Sequence, residues 1–241
     1  MLAARLVPVL AILGALLAGC SPAEVGSTTT VDSTSSGTTT SARAVPVAVD
    51  LSRIGEIAPA FPAEYPARNT PRVGQLDARQ AERVGDLVGF GKPMTSEPSG
   101  CRTLLAPVIA HAGASTASIT SVEDVMAPFI EVSAYDRIDV ATSLPRSGCD
   151  RFRFTVAGAV PDGIATRLTA PHLEDATTYA LRLDFDVTNP ASTVEPTVEF
   201  FYNAIVGNSA YVCVWARVPA DFVAEPMLID LLTRAVTAIR S

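Results

Sequence analysis

Two histidines, His111 and His172, are all the imidazole chemistry this chain can draw on. Neither has a second histidine or a cysteine at metal-ligand spacing, so no zinc site is expected and both read as structural or solvated groups. Two acidic pairs stand out, Glu123 with Asp124 and Asp184 with Asp186. The second pair falls on one face of an alternating stretch, where two carboxylates could hold a cation or share acid–base work. A solvated face neutralised by Arg182 is the plainer reading. There is no Gly-x-Ser-x-Gly elbow and no His-Glu-x-x-His helix. Gly89-Phe90-Gly91-Lys92 lacks the Gly-Lys-Ser/Thr ending of a phosphate loop and follows a helix rather than a strand. No catalytic residue, metal or cofactor is assigned.

The thiols carry more information. Of four cysteines, Cys20 follows an apolar run, whereas Cys101 and Cys149 each follow a Ser-Gly pair in a polar turn. Cys213 sits inside Ala210-Tyr211-Val212-Cys213-Val214-Trp215, where a small apolar side chain suits a strand. We expect a Cys101–Cys149 disulfide and an inert buried thiol at Cys213.

The elements that position these groups follow from periodicity. Residues 46–75 are punctuated by Pro46, Pro59, Pro62, Pro66 and Pro71, and predict an extended arm packing through Leu51, Ile54, Ile57 and Phe61. Asp77 with Gln80 forms a capping box for a helix whose apolar stripe is Ala81, Val84, Leu87 and Val88. A second helical stretch begins near Cys101, carries Leu104, Leu105, Val108 and Ile109, is kinked by Pro107 and ends by Gly113. His111 would meet its C-terminal dipole.

Strands follow at Ser118 to Val122, Phe129 to Tyr135, Arg151 to Val156 and Tyr179 to Val187. The last two alternate apolar and polar, and so have one wet face. Val198 to Val206 and Tyr211 to Val218 are apolar on both faces and flank Gly207-Asn208-Ser209, which predicts a central hairpin. Pro226 opens a C-terminal amphipathic helix with Met227, Leu228, Leu231, Leu232, Ala235, Val236 and Ile239 as its stripe and Asp230 and Arg234 as an exposed pair. The order argues for an α+β fold: a single curved antiparallel sheet with helices packed on it. A closed barrel is the lesser alternative.

Arg5 and the apolar run Leu6 to Leu17 form a leader too short to cross a bilayer, which needs about 20 apolar residues. Leu17-Ala18-Gly19-Cys20 then resembles the lipobox of bacterial lipoproteins at all four positions. The resemblance implies a signal peptide over residues 1–19, cleavage before Cys20, a diacylglyceryl group on its sulfur and a place on the extracytoplasmic face of the cell membrane. Two or three acyl chains hold stably where one is marginal. Residues 20–45 read as a disordered tether, since 13 of residues 21–45 are Ser or Thr; such a coil spans on the order of 28 Å. Residues 46–241 read as one extracytoplasmic domain. Cleavage leaves 17 basic and 25 acidic side chains, an acidic balance without basic clusters that argues against nucleic acid and against electrostatic attachment to anionic lipid.

Asp50-Leu51-Ser52-Arg53-Ile54, Ala60-Phe61-Pro62, Val88-Gly89-Phe90-Gly91-Lys92-Pro93 and the Pro98-x-x-Cys101 turn resemble a family of mycobacterial secreted lipoproteins defined only as a domain of unknown function. The likeness spans most of residues 48–241. A more distant similarity is to the extracellular sensor domain of a mycobacterial serine/threonine kinase, which implies a cleft that takes a ligand. That pattern carries two disulfides, whereas only Cys101, Cys149 and Cys213 follow Cys20 here. Both resemblances imply an envelope-anchored binding domain. The anchor, the tether, the aromatic strand residues and the missing catalytic set point to a ligand-binding or sensory role for an apolar, lipid or glycan ligand. Phe200, Phe201, Tyr202, Tyr211 and Trp215 are the candidate cleft liners, for each of which a place in the plain core is the blander reading. The alternatives are a module that positions or inhibits an envelope protein, and a hydrolase using His172 or the Asp184 and Asp186 pair.

Overall fold

The structure is a computed structural model that describes residues 48–241 apart from 69, 90, 123–126, 141–143, 159–161 and 186–196. Cys20 with its leader and tether, Phe90, the Glu123 and Asp124 pair, Asp186 and Val187 lie outside the described residues.

Eleven strands and a few helices, of which the C-terminal one has 16 residues, make up the described chain. It opens with a 3-10 helix over Leu51–Ala60. Then come β1 (Arg72–Gln75), α1 (Ala78–Ala81), β2 (Met94–Glu97), α2 (Arg102–Leu105), β3 (Val108–Ile109), β4 (Ser115–Thr120), β5 (Phe129–Asp136) and β6 (Asp139–Val140). The second half holds β7 (Arg151–Val156), β8 (Gly163–Leu168), β9 (Ala176–Phe185), β10 (Thr197–Val206), β11 (Ala210–Pro219) and α3 (Glu225–Arg240). Nine strands form one antiparallel sheet in the order β1-β4-β5-β11-β10-β9-β8-β7-β2, and β3 pairs with β6 separately. The large sheet ends in two edges, so the barrel alternative is excluded.

The central hairpin forms as its residues dictate. β10 and β11 pair over ten positions around the turn at Gly207, whose φ of +57° suits glycine. Both faces of β10 are buried, which is why its residues are apolar at odd and even positions alike. β7 keeps the alternation expected of a strand with one wet face, with Phe152, Phe154 and Val156 buried.

Two apolar layers flank the sheet. On one face α3 buries Leu228, Leu231, Leu232, Ala235, Val236 and Ile239 against Phe200, Tyr202, Val212 and Val214. Each fully buried leucine contributes about 2 kcal/mol of transfer free energy. The 3-10 helix packs on the same face, and Asp50 N–H donates to the Ile239 carbonyl at 2.7 Å, joining the two ends of the described chain. Asp230 and Arg234 pair at 2.7 Å on the exposed side of α3. On the opposite face, Leu76, Val84, Leu87, Val88, Leu104 and Leu105 form a cover of mostly irregular chain over Leu181, Phe201 and Tyr211.

Three expectations change here. The arm is a 3-10 helix over Leu51–Ala60 rather than extended chain, although Leu51, Ile54, Ile57 and Phe61 are buried as expected. The helix from Asp77 lasts one turn: the capping box is present, but Gly85 at φ +75° breaks the run, and Val84, Leu87 and Val88 are buried from turns instead. The second helical stretch is α2 alone, because Pro107 ends it and Val108–Ile109 becomes β3. His111 therefore lies in a turn, exposed, with Nε2 2.9 Å from Asp139 Oδ2. Cys101 and Cys149 form the expected disulfide, closing 48 residues. It ties the cover to the segment entering β7.

Candidate functional site

Register places the site. In an antiparallel sheet, residues directly opposite one another share a face. Trp215 on β11 stands opposite Phe201 on β10 and Glu131 on β5. Cys213 stands opposite Asn203 and Ser133, and Tyr211 opposite Ile205 and Tyr135. β4 extends these rows, with Ser118 facing Ser133 and Thr116 facing Tyr135, and β1 continues them with Arg72 opposite Ser118 and Gly74 opposite Thr116. A band of hydroxyl, carboxyl and aromatic side chains thus crosses five strands on the face turned towards the cover.

Two adjoining cavities lie on this band. The larger, about 420 Å³, is floored by Thr116, Ser118, Glu131 and Ser133 and walled by β1 and by Gln80, Arg83 and Val84. The smaller, about 250 Å³, reaches inward to Phe201, Tyr211, Cys213 and Trp215, with Gly85, Asp86 and Leu87 above. Arg83, Glu131, Ser133 and Tyr135 line both, so the two cavities share a wall and form one cleft. It runs from the exposed edge strand β1 to the aromatic centre of the sheet, four inter-strand steps of about 4.8 Å each.

The cover fits because of Gly85. A Cβ there would stand 2.5 Å from Val108 Cγ2, so only glycine lets this turn pass β3. Beyond it, Asp86 accepts from the N–H groups of Gly89 and Gly91, both at 2.6 Å. The glycine stretch that superficially suggested a phosphate loop is therefore occupied by the chain's own carboxylate.

Inside the cleft, Ser133 Oγ donates to Glu131 Oε1 at 2.6 Å. Tyr135 and Tyr211 stack with ring centroids 6.0 Å apart and planes 19° from parallel, and Tyr211 donates its hydroxyl to Asn203 Oδ1 at 2.6 Å. Burial raises both tyrosine pKa values, with the Glu131 charge adding to the effect at Tyr135; both stay neutral donors. Burial likewise pushes the Cys213 thiol up to about 12, so it is no thiolate nucleophile at neutral pH. Trp215 stacks on Phe201 at 5.7 Å and meets the edge of Phe129 at 4.7 Å. Its indole N–H donates to Glu199 at 3.0 Å.

The expected liners divide by strand parity. Tyr211, Trp215 and Phe201 line the cleft. Phe200 and Tyr202 do not: they point from the other face of β10 into the layer beneath α3, and Tyr202 is fully buried. His172 is exposed in a loop and lines neither cavity. Asp184 is half-buried and bonded to Arg182 through Nε at 3.1 Å and Nη2 at 2.9 Å, as the solvated-face reading expected. No histidine lines the cleft, and the described residues hold no group of three or more His, Cys, Asp or Glu side chains that could bind a metal. Among the described residues no helix is long and apolar enough to cross a membrane.

Sequence reasoning missed Arg72, Arg83, Glu131, Ser133 and Tyr135. A signal was present in β5, where polar Glu131, Ser133 and Tyr135 alternate with apolar Ile130, Val132 and Ala134. On an outer strand that pattern means a solvated face, whereas β5 lies inside the sheet, beside β11.

No protein-family model matches the chain, and no curated protein matches it. Among solved structures it is similar to the X-ray structure of an uncharacterised protein from Mycobacterium smegmatis, an Rv0999 ortholog. The two share 18% identity, the match covers 80% of this chain and 98% of that one, and the TM-score is 0.49.

Proposed function

We propose that this protein is a non-enzymatic binding lipoprotein, held at the extracytoplasmic face of the cell membrane by lipid on Cys20, whose cleft takes a carbohydrate-like ligand. The observation that carries the reading is the band of hydroxyl, carboxyl and aromatic side chains crossing five strands under the cover. Aromatic faces pack against the apolar faces of sugar rings, while Glu131, Ser118 and Ser133 offer partners to their hydroxyls. An acyl chain in the same place would bury those polar groups against methylenes, which costs free energy without a compensating hydrogen bond. A glycan therefore fits the lining better than a lipid. On this reading the sheet is curved about the cleft.

The alternative is a module that docks an envelope protein along the free edge of β1, where Val73 is 58% exposed. Native mass spectrometry of the protein purified from an actinobacterial host separates the two. A co-purifying carbohydrate mass, released on denaturation, supports the binding cleft. A bare polypeptide that captures an envelope protein, and loses it when Val73→Lys alters the edge, replaces it with the docking reading.

A further inference from the structure

Resting on the binding reading above, we infer that the ligand is an acidic glycan, whose carboxylate or phosphate is held by Arg72 and Arg83 at the mouth of the cleft while its hydroxyls meet Glu131 and Ser133.

The inference starts from charge placement. The chain has 25 acidic and 18 basic residues, yet the larger cavity is lined by two arginines and a single carboxylate, Glu131. Both arginines are exposed, and neither guanidinium has an ion-pair or hydrogen-bond partner among the described residues. Arg53, Arg182 and Arg234 are each bonded to a neighbouring acid, while exposed Arg79 and Arg151 also have no such partner among the described residues. What sets Arg72 and Arg83 apart is that both line the cleft. Glu131 receives one hydrogen bond, from Ser133. The other acid of the cleft, Asp86, is already taken by the backbone N–H groups of Gly89 and Gly91.

The two arginines come from different elements of the lining, Arg72 from β1 and Arg83 from just beyond α1. A guanidinium presents a planar fork of donors that matches a carboxylate or phosphate with two parallel hydrogen bonds. At the inner end of the cleft the lining turns aromatic with Tyr135, Tyr211 and Trp215. The lining thus offers cation, hydroxyl acceptor and ring face, with Arg72 in the outer cavity alone, Tyr211 and Trp215 in the inner cavity alone, and Arg83, Glu131, Ser133 and Tyr135 shared by both. An acidic sugar chain carries the same three features along its length, while a neutral one leaves the two guanidinium groups unused.

Trp215 is the chain's single tryptophan, and it lines the inner cavity, so its fluorescence reports occupancy directly. The full chain is titrated with tetragalacturonic acid and, separately, with its methyl ester, which keeps the ring skeleton and removes the charge. The acid should change Trp215 emission saturably and bind at least tenfold more tightly than the ester. Its affinity should fall as salt is raised. The double charge reversal Arg72→Glu with Arg83→Glu should remove that preference, bringing the acid's affinity down to the ester's or below it, while Arg83→Lys should retain part of it. Both residues are exposed, and circular dichroism checks that the variants remain folded. Equal binding of acid and ester, or an unchanged affinity of the charge-reversed protein for the acid, overturns the anionic subsite and leaves the glycan cleft standing. No Trp215 response to either probe overturns the carbohydrate reading together with the subsite.

Discussion

Trp215 and Glu199 are joined across the central hairpin: the indole N–H donates to a carboxylate oxygen at 3.0 Å, and Arg217 donates to the other oxygen from Nε at 2.8 Å and Nη2 at 2.7 Å. Arg217 also lies over the rings of Phe129 and Trp215, at 5.5 and 5.7 Å. Burial pushes the Glu199 pKa up, and the Arg217 charge and the donated hydrogen bonds pull it back. The carboxylate therefore fixes the aromatic end of the cleft from behind.

Glu199→Ala should cost about 3 kcal/mol of stability, because it removes the buried acceptor of the Trp215 indole N–H and of two Arg217 hydrogen bonds and leaves the indole donor unsatisfied. Urea denaturation reads this, and Trp215 emission should shift in the folded state as well. A loss under about 1 kcal/mol would mean that the trio behaves as an exposed ion pair.

Cys213 gives a pH-dependent outcome. Its pKa in the fold is raised to about 12 by burial, above the ordinary thiol value of about 8.5. A raised pKa means that the folded chain holds the proton longer. The contribution is therefore whole below about pH 8.5 and is lost as pH rises towards the folded value. Between those limits the wild type should lose up to about 1.4 kcal/mol per pH unit more than Cys213→Ala. In a Cys20→Ser background, Ellman's reagent should find no thiol in the folded protein at pH 8 and one after denaturation.

Replacing Cys101 and Cys149 by alanine should lower stability by about 4 kcal/mol, the chain-entropy value for a closed segment of 48 residues. The disulfide pins the cover, so proteolysis between residues 76 and 110 should accelerate more than cleavage within α3. Equal acceleration at both places would show that the cover gains nothing particular from the link.

Tyr202→Phe should stabilise the protein by about 1 kcal/mol. The Tyr202 hydroxyl is buried beneath α3 with no hydrogen-bond partner among the described residues, and removing an unpaired buried group relieves its desolvation cost. Tyr211→Phe should do the opposite, because that hydroxyl is bonded to Asn203. Thermal melts of the two variants against wild type test the pair.

The outline of the sheet was legible wherever one periodicity dominated a long segment. β7, β9, the β10–β11 hairpin and α3 follow from alternation, the Gly207 turn and a helical stripe opened by Pro226. The disulfide followed from two matching polar turns. The four-residue strands β1 and β2 were not legible, because so few residues carry no periodicity and their pairing is set by distant partners. The division of Phe200 and Tyr202 from Phe201 was hidden for a different reason. With both faces of β10 buried, parity says that two sets exist but not which lies under α3. The cover was misread as longer helices because its apolar residues recur at helical spacing, while Gly85 and Pro107 break the backbone between them.

The sheet's ends have a consequence for crowding. Its central strands, ten residues long, are paired on both sides, and its outermost ones, β1 and β2, are four residues each. Pro71 precedes the first and Pro98 follows the second, and proline has no N–H to extend a ladder. A neighbouring molecule can add at most a stub of backbone pairing at either end, too little to template a fibre. Strand-to-strand pairing between crowded copies is therefore confined to four residues at either end.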